Sequence, residues 1–164
     1  KLLGEQGQAL PAQVKAAVAS MVALNKTASL VMRRFDVHAC SDVTGFGLLG
    51  HGTEMAMGSG VSLLFESQAL PLLPGALKLT RAGHLTGGCK RNRAWLADKV
   101  AIDPRVAAGY EDIAFDPQTS GGLLIAVAQH DAARLLRALR AKGIDIAAAV
   151  GRAVPRGDVW VALK

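Results

Sequence analysis

The chain has 164 residues, enough for one domain with a proper core, and 51 % of them are hydrophobic. Aromatics make up only 4 %, so the core is built from Ala, Leu and Val, and platforms for stacking nucleic-acid bases are scarce. A net charge of +6 suits an anionic partner, or is merely a solvated face, and two cysteines are too few for a disulfide framework.

The cysteine usage fits a reducing, cytoplasmic setting. Apolar runs such as residues 123–128 are strand-sized, so no transmembrane helix is expected. The start Lys1-Leu-Leu-Gly4 has no signal-peptide core and no Met, as expected of a piece of a longer protein. Residues 1–10 read as a linker and residues 11–164 as the domain.

After Pro11, the residues Ala17, Met21, Leu24, Ala28, Val31 and Phe35 recur at spacings of four and three, which predicts one helix of about six turns. Residues 37–40 read as a short strand with Cys40 in the core. Residues 46–57 read as a helix with Leu48, Leu49, Met55 and Ala56 inward, stopped by Gly58-Ser-Gly60. A strand follows at 61–65, then a proline-bounded turn and a short helix ending near Gly83. Residues 84–116 carry Gly87-Gly88 and two prolines and read as mostly irregular. Residues 122–128 form an apolar run typical of a strand buried on both faces. A helix over 131–142, closed by Gly143, precedes a terminal strand pair at 144–150 and 159–163. Strands and helices interleave without a strict βαβ rhythm, so the fold class is α+β: a two-layer sandwich with helices packed on a mixed sheet.

Chemistry concentrates in His38-Ala-Cys-Ser-Asp-Val-Thr-Gly-Phe-Gly-Leu-Leu-Gly-His51. A strand here delivers Asp42 to a glycine-rich turn that opens a helix. A carboxylate can take a hard cation there while backbone amides take phosphate oxygens. On the residues alone Asp42 reads first as a plain helix N-cap, a role compatible with holding a cation. Gly45, Gly47, Gly50 and Gly52 cost a helix roughly 1 kcal/mol each in its interior, so something approaches that backbone closely, a ligand or a packed strand. Neither common nucleotide fingerprint is present. In Asp116-Pro-Gln-Thr-Ser-Gly-Gly-Leu123, Thr119 and Ser120 offer hydroxyls and Gly121-Gly122 permits a sharp turn; it reads as an ordinary turn or as a functional loop at a strand end. Gly87-Gly-Cys-Lys-Arg-Asn-Arg93 is a basic, glycine-led loop that neutralises phosphates or is simply exposed. Cys89 has no base near it in sequence and reads as a packed or surface thiol. The histidines at 38, 51, 84 and 130 lack metal-ligand spacing and read as structural.

Taken together with Leu70-Pro-Leu-Leu-Pro-Gly-Ala76, these segments resemble, in order and over nearly the whole chain, the C-terminal half of the selenophosphate synthetases (selenide, water dikinases). Those belong to the wider aminoimidazole ribonucleotide synthetase-related superfamily. The resemblance implies that fold, and an enzyme that converts ATP, selenide and water to selenophosphate, AMP and phosphate with Mg2+. It implies that Asp42 is a magnesium ligand, with Thr44, Gly45, Thr119, Ser120, Gly121 and Gly122 lining the cofactor cavity. It implies further that most of the ATP site and the catalytic cysteine or selenocysteine lie on an N-terminal domain outside this chain. This segment alone would then be inactive, and the full-length protein a cytoplasmic homodimer. Cys89 stands where the family pattern leads one to expect threonine, and Ser62 where glycine is common. A sibling ATP-dependent synthetase or kinase, or a basic nucleic-acid-binding module, are the competing readings. The low aromatic content and absent recognition motifs weigh against nucleic acid.

Overall fold

A computed structural model describes residues 9–164, so most of the expected linker lies outside the described residues. In chain order the elements are helices α1 (Pro11–Val22) and α2 (Lys26–Met32), strand β1 (Val37–Asp42), helix α3 (Gly47–Ser59) and strand β2 (Val61–Phe65). Helices α4 (Ala76–Arg81) and α5 (Gly87–Trp95), strand β3 (Val100–Ile102), helix α6 (Tyr110–Phe115) and strand β4 (Leu123–Val127) follow. Helix α7 (Gln129–Arg140) and strands β5 (Gly151–Pro155) and β6 (Val161–Leu163) complete the chain.

The β-branched and apolar residues of β2 and β6 direct Leu63, Phe65, Val161 and Leu163 to one buried face. These strands form a mixed sheet of order β3-β6-β2-β5, with β2 parallel to β6 and antiparallel to β5. Helix α3 packs on this sheet through Leu49 and Ala56, with Leu96, Phe115 and Leu124 closing the same core. Its C-terminus is closed by Gly60 in the left-handed region. A separate antiparallel ribbon pairs β1 with β4, and it is backed by Val31 of α2 and Leu135 and Leu139 of α7. The architecture is therefore α+β, helices packed against a mixed sheet, as the pattern of elements predicts.

Four expectations need correction. The single long helix is two, bent by 55° between α1 and α2. The stripe residues Ala28, Val31 and Phe35 join the core of α7, but Met21 and Leu24 are exposed and α1 buries none of its residues. At the break, the Asn25 side chain donates to the Gly121 carbonyl at 3.1 Å, a tertiary bond that periodicity cannot reveal. No single helix among the described residues is long and apolar enough to cross a membrane, although the bent pair together passes on length and composition.

The irregular stretch is largely regular. Thr86 caps α5 by accepting from the Cys89 amide at 3.2 Å, so the glycine-led basic loop is the first part of a helix. The third correction concerns β4, of which only Leu124 is buried, because among the described residues its only strand partner is β1. Strand β1 likewise alternates between half-buried and exposed positions, which turns Cys40 outward rather than into the core.

Lastly, residues 144–150 are not a strand: Ile144 and Ala147 pack onto α7. Strands β5 and β6 lie on opposite sides of β2 instead of pairing with each other. The crossing between them is fixed by buried Ser62, whose hydroxyl donates to the Val159 carbonyl at 2.6 Å and accepts from the Gly157 amide at 3.0 Å.

Candidate functional site

The two glycine-bearing motifs meet. Asp42 stands opposite Leu123 in the β1–β4 register, and beyond it the pairing continues into the loops. The Val43 amide donates to the Gly122 carbonyl at 3.0 Å, the Gly121 amide to the Val43 carbonyl at 2.9 Å, and the Gln118 amide to the Thr44 carbonyl at 3.0 Å. A Cβ on Gly121 would lie 2.3 Å from the Val43 carbonyl oxygen, so this approach requires glycine. Asp42, Thr44, Gly45, Gly121 and Gly122 thus share one corner, with Thr119 and Ser120 at the crest of the loop between Gln118 and Gly121.

Asp42 is exposed at the end of β1. It is not the N-cap of α3; that position falls to Phe46, and no side chain caps the helix. Its carboxylate accepts no hydrogen bond among the described residues; its backbone carbonyl accepts one from the Ser41 hydroxyl at 3.3 Å. Helix α3 begins instead with Gly47, at a φ of +69° and pressed against the backbone of Phe115 and Asp116. Gly50 and Gly52 pack against Phe46 and Phe65. Close neighbours within the protein therefore account for three of the four glycines, while Gly45 faces open space.

Behind the corner lies a polar clamp that sequence reasoning passed over. Asn92, buried on α5, donates to the Gly45 carbonyl at 3.0 Å and to the Phe115 carbonyl at 2.9 Å. Asp116 accepts from the Thr86 hydroxyl at 3.1 Å and from the Gln118 side chain at 3.0 Å. Burial pushes the Asp116 carboxyl above the usual range, against the opposing pull of those two bonds. His51 is buried as well, with Nε2 3.1 Å from the Thr44 hydroxyl and Nδ1 3.1 Å from a Glu54 carboxylate oxygen. A glycine-rich turn needs pinning from outside itself, and an asparagine set among basic residues was the only sequence sign of it.

The basic segment is divided. Arg93 forms ion pairs with Glu111 and, at 2.8 Å, with Asp112, and its guanidinium lies 4.7 Å from the centre of the Phe115 ring. Lys90 and Arg91 are exposed. Cys89 is 1 % exposed; burial first and the Asp112 charge second push its thiol up, which disfavours the reactive thiolate. Partial desolvation at its base, with the neighbouring Asp42 charge second, raises the outward-facing Cys40 thiol as well.

No group of three His, Cys, Asp or Glu side chains able to hold a metal occurs among the described residues. Asp42 suits one arm of a magnesium site, because Mg2+ is commonly held by one or two carboxylates with phosphates and water completing its shell. The site is an open corner. A hollow of about 440 Å³ lined by Leu72, Leu73, Gly75, Leu77, Lys78 and Arg81 contains neither Asp42 nor the 116–122 loop.

Over residues 1–164 the chain matches the family described as AIR synthase related protein, C-terminal domain. It is 44 % identical over 153 residues to a selenide, water dikinase of Agathobacter rectalis, covering 93 % of this chain and 44 % of that protein. It is 46 % identical over 137 residues to the selenide, water dikinase of Pelobacter propionicus, covering 84 % of this chain and 39 % of the relative. A third selenide, water dikinase, from Caldanaerobacter subterraneus subsp. tengcongensis, is 48 % identical over 126 residues, or 77 % of this chain and 36 % of that protein. The chain spans less than half the length of these relatives. By this match the chain belongs to the family of AIR synthase related C-terminal domains.

Proposed function

We propose that this chain is the C-terminal domain of a selenophosphate synthetase, which converts ATP, selenide and water to selenophosphate, AMP and phosphate. The observation that carries the reading is Asp42: an exposed carboxylate, excused from helix capping, at the corner where both glycine-bearing motifs are joined. The relatives named selenide, water dikinase support the choice of substrate.

In this reading Asp42 reaches across a domain interface to a magnesium ion on the ATP phosphates. When bound, that ion neutralises phosphate charge so that a nucleophile can approach in line. Thr44 and Gly45 line the phosphate cavity from one side, and Thr119, Ser120, Gly121 and Gly122 from the other. The Asn92 bond to Gly45 keeps that turn open and in place without occupying the cavity. The catalytic cysteine or selenocysteine and most of the ATP site belong to an N-terminal domain. The segment alone is inactive, and the whole enzyme is a cytoplasmic homodimer.

The test is phosphorus NMR on the whole enzyme with Mg-ATP, with and without selenide, under anaerobic conditions. A selenide-dependent selenophosphate signal accompanied by AMP is expected. Turnover indifferent to selenide, or ending at ADP, would overturn the assignment and move the protein to a sibling synthetase of the same fold.

A further inference from the structure

His51 is the most buried of the four histidines, 7 % exposed, and it projects from α3 toward the strand end that carries Asp42. Its ring nitrogens approach the chain on both sides of that residue, closely only on the Thr44 side. Nδ1 lies 3.5 Å from the Ser41 hydroxyl, and Nε2 lies 3.1 Å from the Thr44 hydroxyl. The Phe46 ring, centred 5.5 Å away, covers the imidazole.

A neutral imidazole donates from one nitrogen and accepts at the other, and two neighbours decide which. The Ser41 hydroxyl already donates to the Asp42 carbonyl at 3.3 Å, so toward His51 its oxygen can only accept. A Glu54 carboxylate oxygen 3.1 Å from Nδ1 also favours a proton there. With the ring neutral, Nδ1 is the donor and Nε2 the acceptor, and the Thr44 hydroxyl gives its proton to Nε2. The remaining face of the Thr44 oxygen offers lone pairs only.

The geometry points to His51 as a positioning residue that holds Thr44, two residues beyond Asp42, and makes its hydroxyl an acceptor-only group toward the corner. This rests on the reading of Asp42 as a magnesium arm, and it adds a division of labour. Within the cavity that Thr44 helps to line, its free lone pairs would accept from water around the cation, and donors to the phosphate oxygens would come from other groups.

The test is a double-mutant cycle in the whole enzyme. Thr44→Val and His51→Gln are each expected to raise the magnesium concentration for half-maximal rate about tenfold, the size seen when a group that orients a metal ligand is removed. The KM for ATP should stay within about twofold, and Thr44→Ser should restore the magnesium requirement. The double variant should be no worse than either single one, because both remove the same bond. Additive losses, or lower rates with an unchanged magnesium requirement, would overturn the proposal. Should His51→Gln fail to fold, the wild-type protein still decides: nitrogen-15 NMR at about pH 8.5, where imidazoles are ordinarily neutral, is expected to show the proton on Nδ1. A proton on Nε2 ends the proposal. An enzyme without selenide-dependent turnover would end the functional reading instead, and the ring spectrum would remain interpretable.

Discussion

The four-stranded sheet and the β1–β4 ribbon draw on similar short strands, yet they are held by different forces. In β2 and β6, Leu63, Phe65, Val161 and Leu163 are buried against α3, and their hydrophobic burial fixes the sheet. In the ribbon, β1 buries no residue fully and β4 buries only Leu124. Its working end is ordered by directional bonds from Asn25, Gln118, His51 and Asn92. Apolar burial tolerates a featureless surface behind it, whereas a polar corner must be specified atom by atom. Most of the apolar core and the polar corner thereby lie in separate sheets, and it should be possible to damage each without the other.

The largest effect is expected in the four-stranded sheet. Leu163 is fully buried at the inner face of β6, so Leu163→Ala should cost about 2–5 kcal/mol of folding free energy. Chemical denaturation would read it, and a loss below about 1 kcal/mol would mean that this sheet is not the structural core.

Asn92→Ala probes the link between the two regions. It removes both donors from the Gly45 and Phe115 carbonyls, at a cost of about 1–3 kcal/mol. Amide exchange should quicken around residues 44–47 while β2 and β6 stay protected. Uniform loss of protection across both sheets would contradict their separation.

How much of this was legible follows the same division. The strand at 61–65, the helix over 47–59 with its glycine stop, and the C-terminal amphipathic helix rest on periodicity and capping, which are local. The meeting of Asp42, Thr44 and Gly45 with the 119–122 loop was expected from the motif resemblance, and the β1–β4 register brings it about. The break at Asn25, the order of β5 and β6 around β2, and the helix at 87–95 were hidden. The first two depend on bonds to residues far away in sequence, Asn25 to Gly121 and Ser62 to Val159, whereas the third starts from a local cap, Thr86 on the Cys89 amide, that the glycines after it obscure. His51 reads as structural in the sequence and is buried and hydrogen-bonded in the fold, but a lone histidine on a helix carries no sign of which hydroxyls it will meet.

Asp116 offers a pH test of the clamp. Its folded-state pKa is raised, so the native state keeps a proton that the unfolded chain releases. Its contribution to stability is therefore fully present below the unfolded value and is lost as pH rises through the folded one. Asp116→Asn removes that dependence, although its amide places a donor against Gln118. Measured against wild type, the variant's relative stability should improve over the window that opens above about pH 4, the ordinary carboxyl value of the unfolded chain. A difference that stays flat across that window would mean that burial does not govern this carboxyl.

The smallest effect on stability should come from the residue with the largest expected effect on activity. Asp42→Asn changes an exposed side chain that accepts no hydrogen bond among the described residues, so the folding free energy should move by no more than about 0.5 kcal/mol. If Asp42 is the magnesium arm, the same variant should cut turnover of the whole enzyme by about a hundredfold or more. A carboxylate kept at a strand end for packing or capping would give the opposite pair of results, a loss of stability with turnover intact. Wild-type turnover together with wild-type stability would remove Asp42 from the site, and with it the reason for the ribbon's polar clamp to be aimed at that corner.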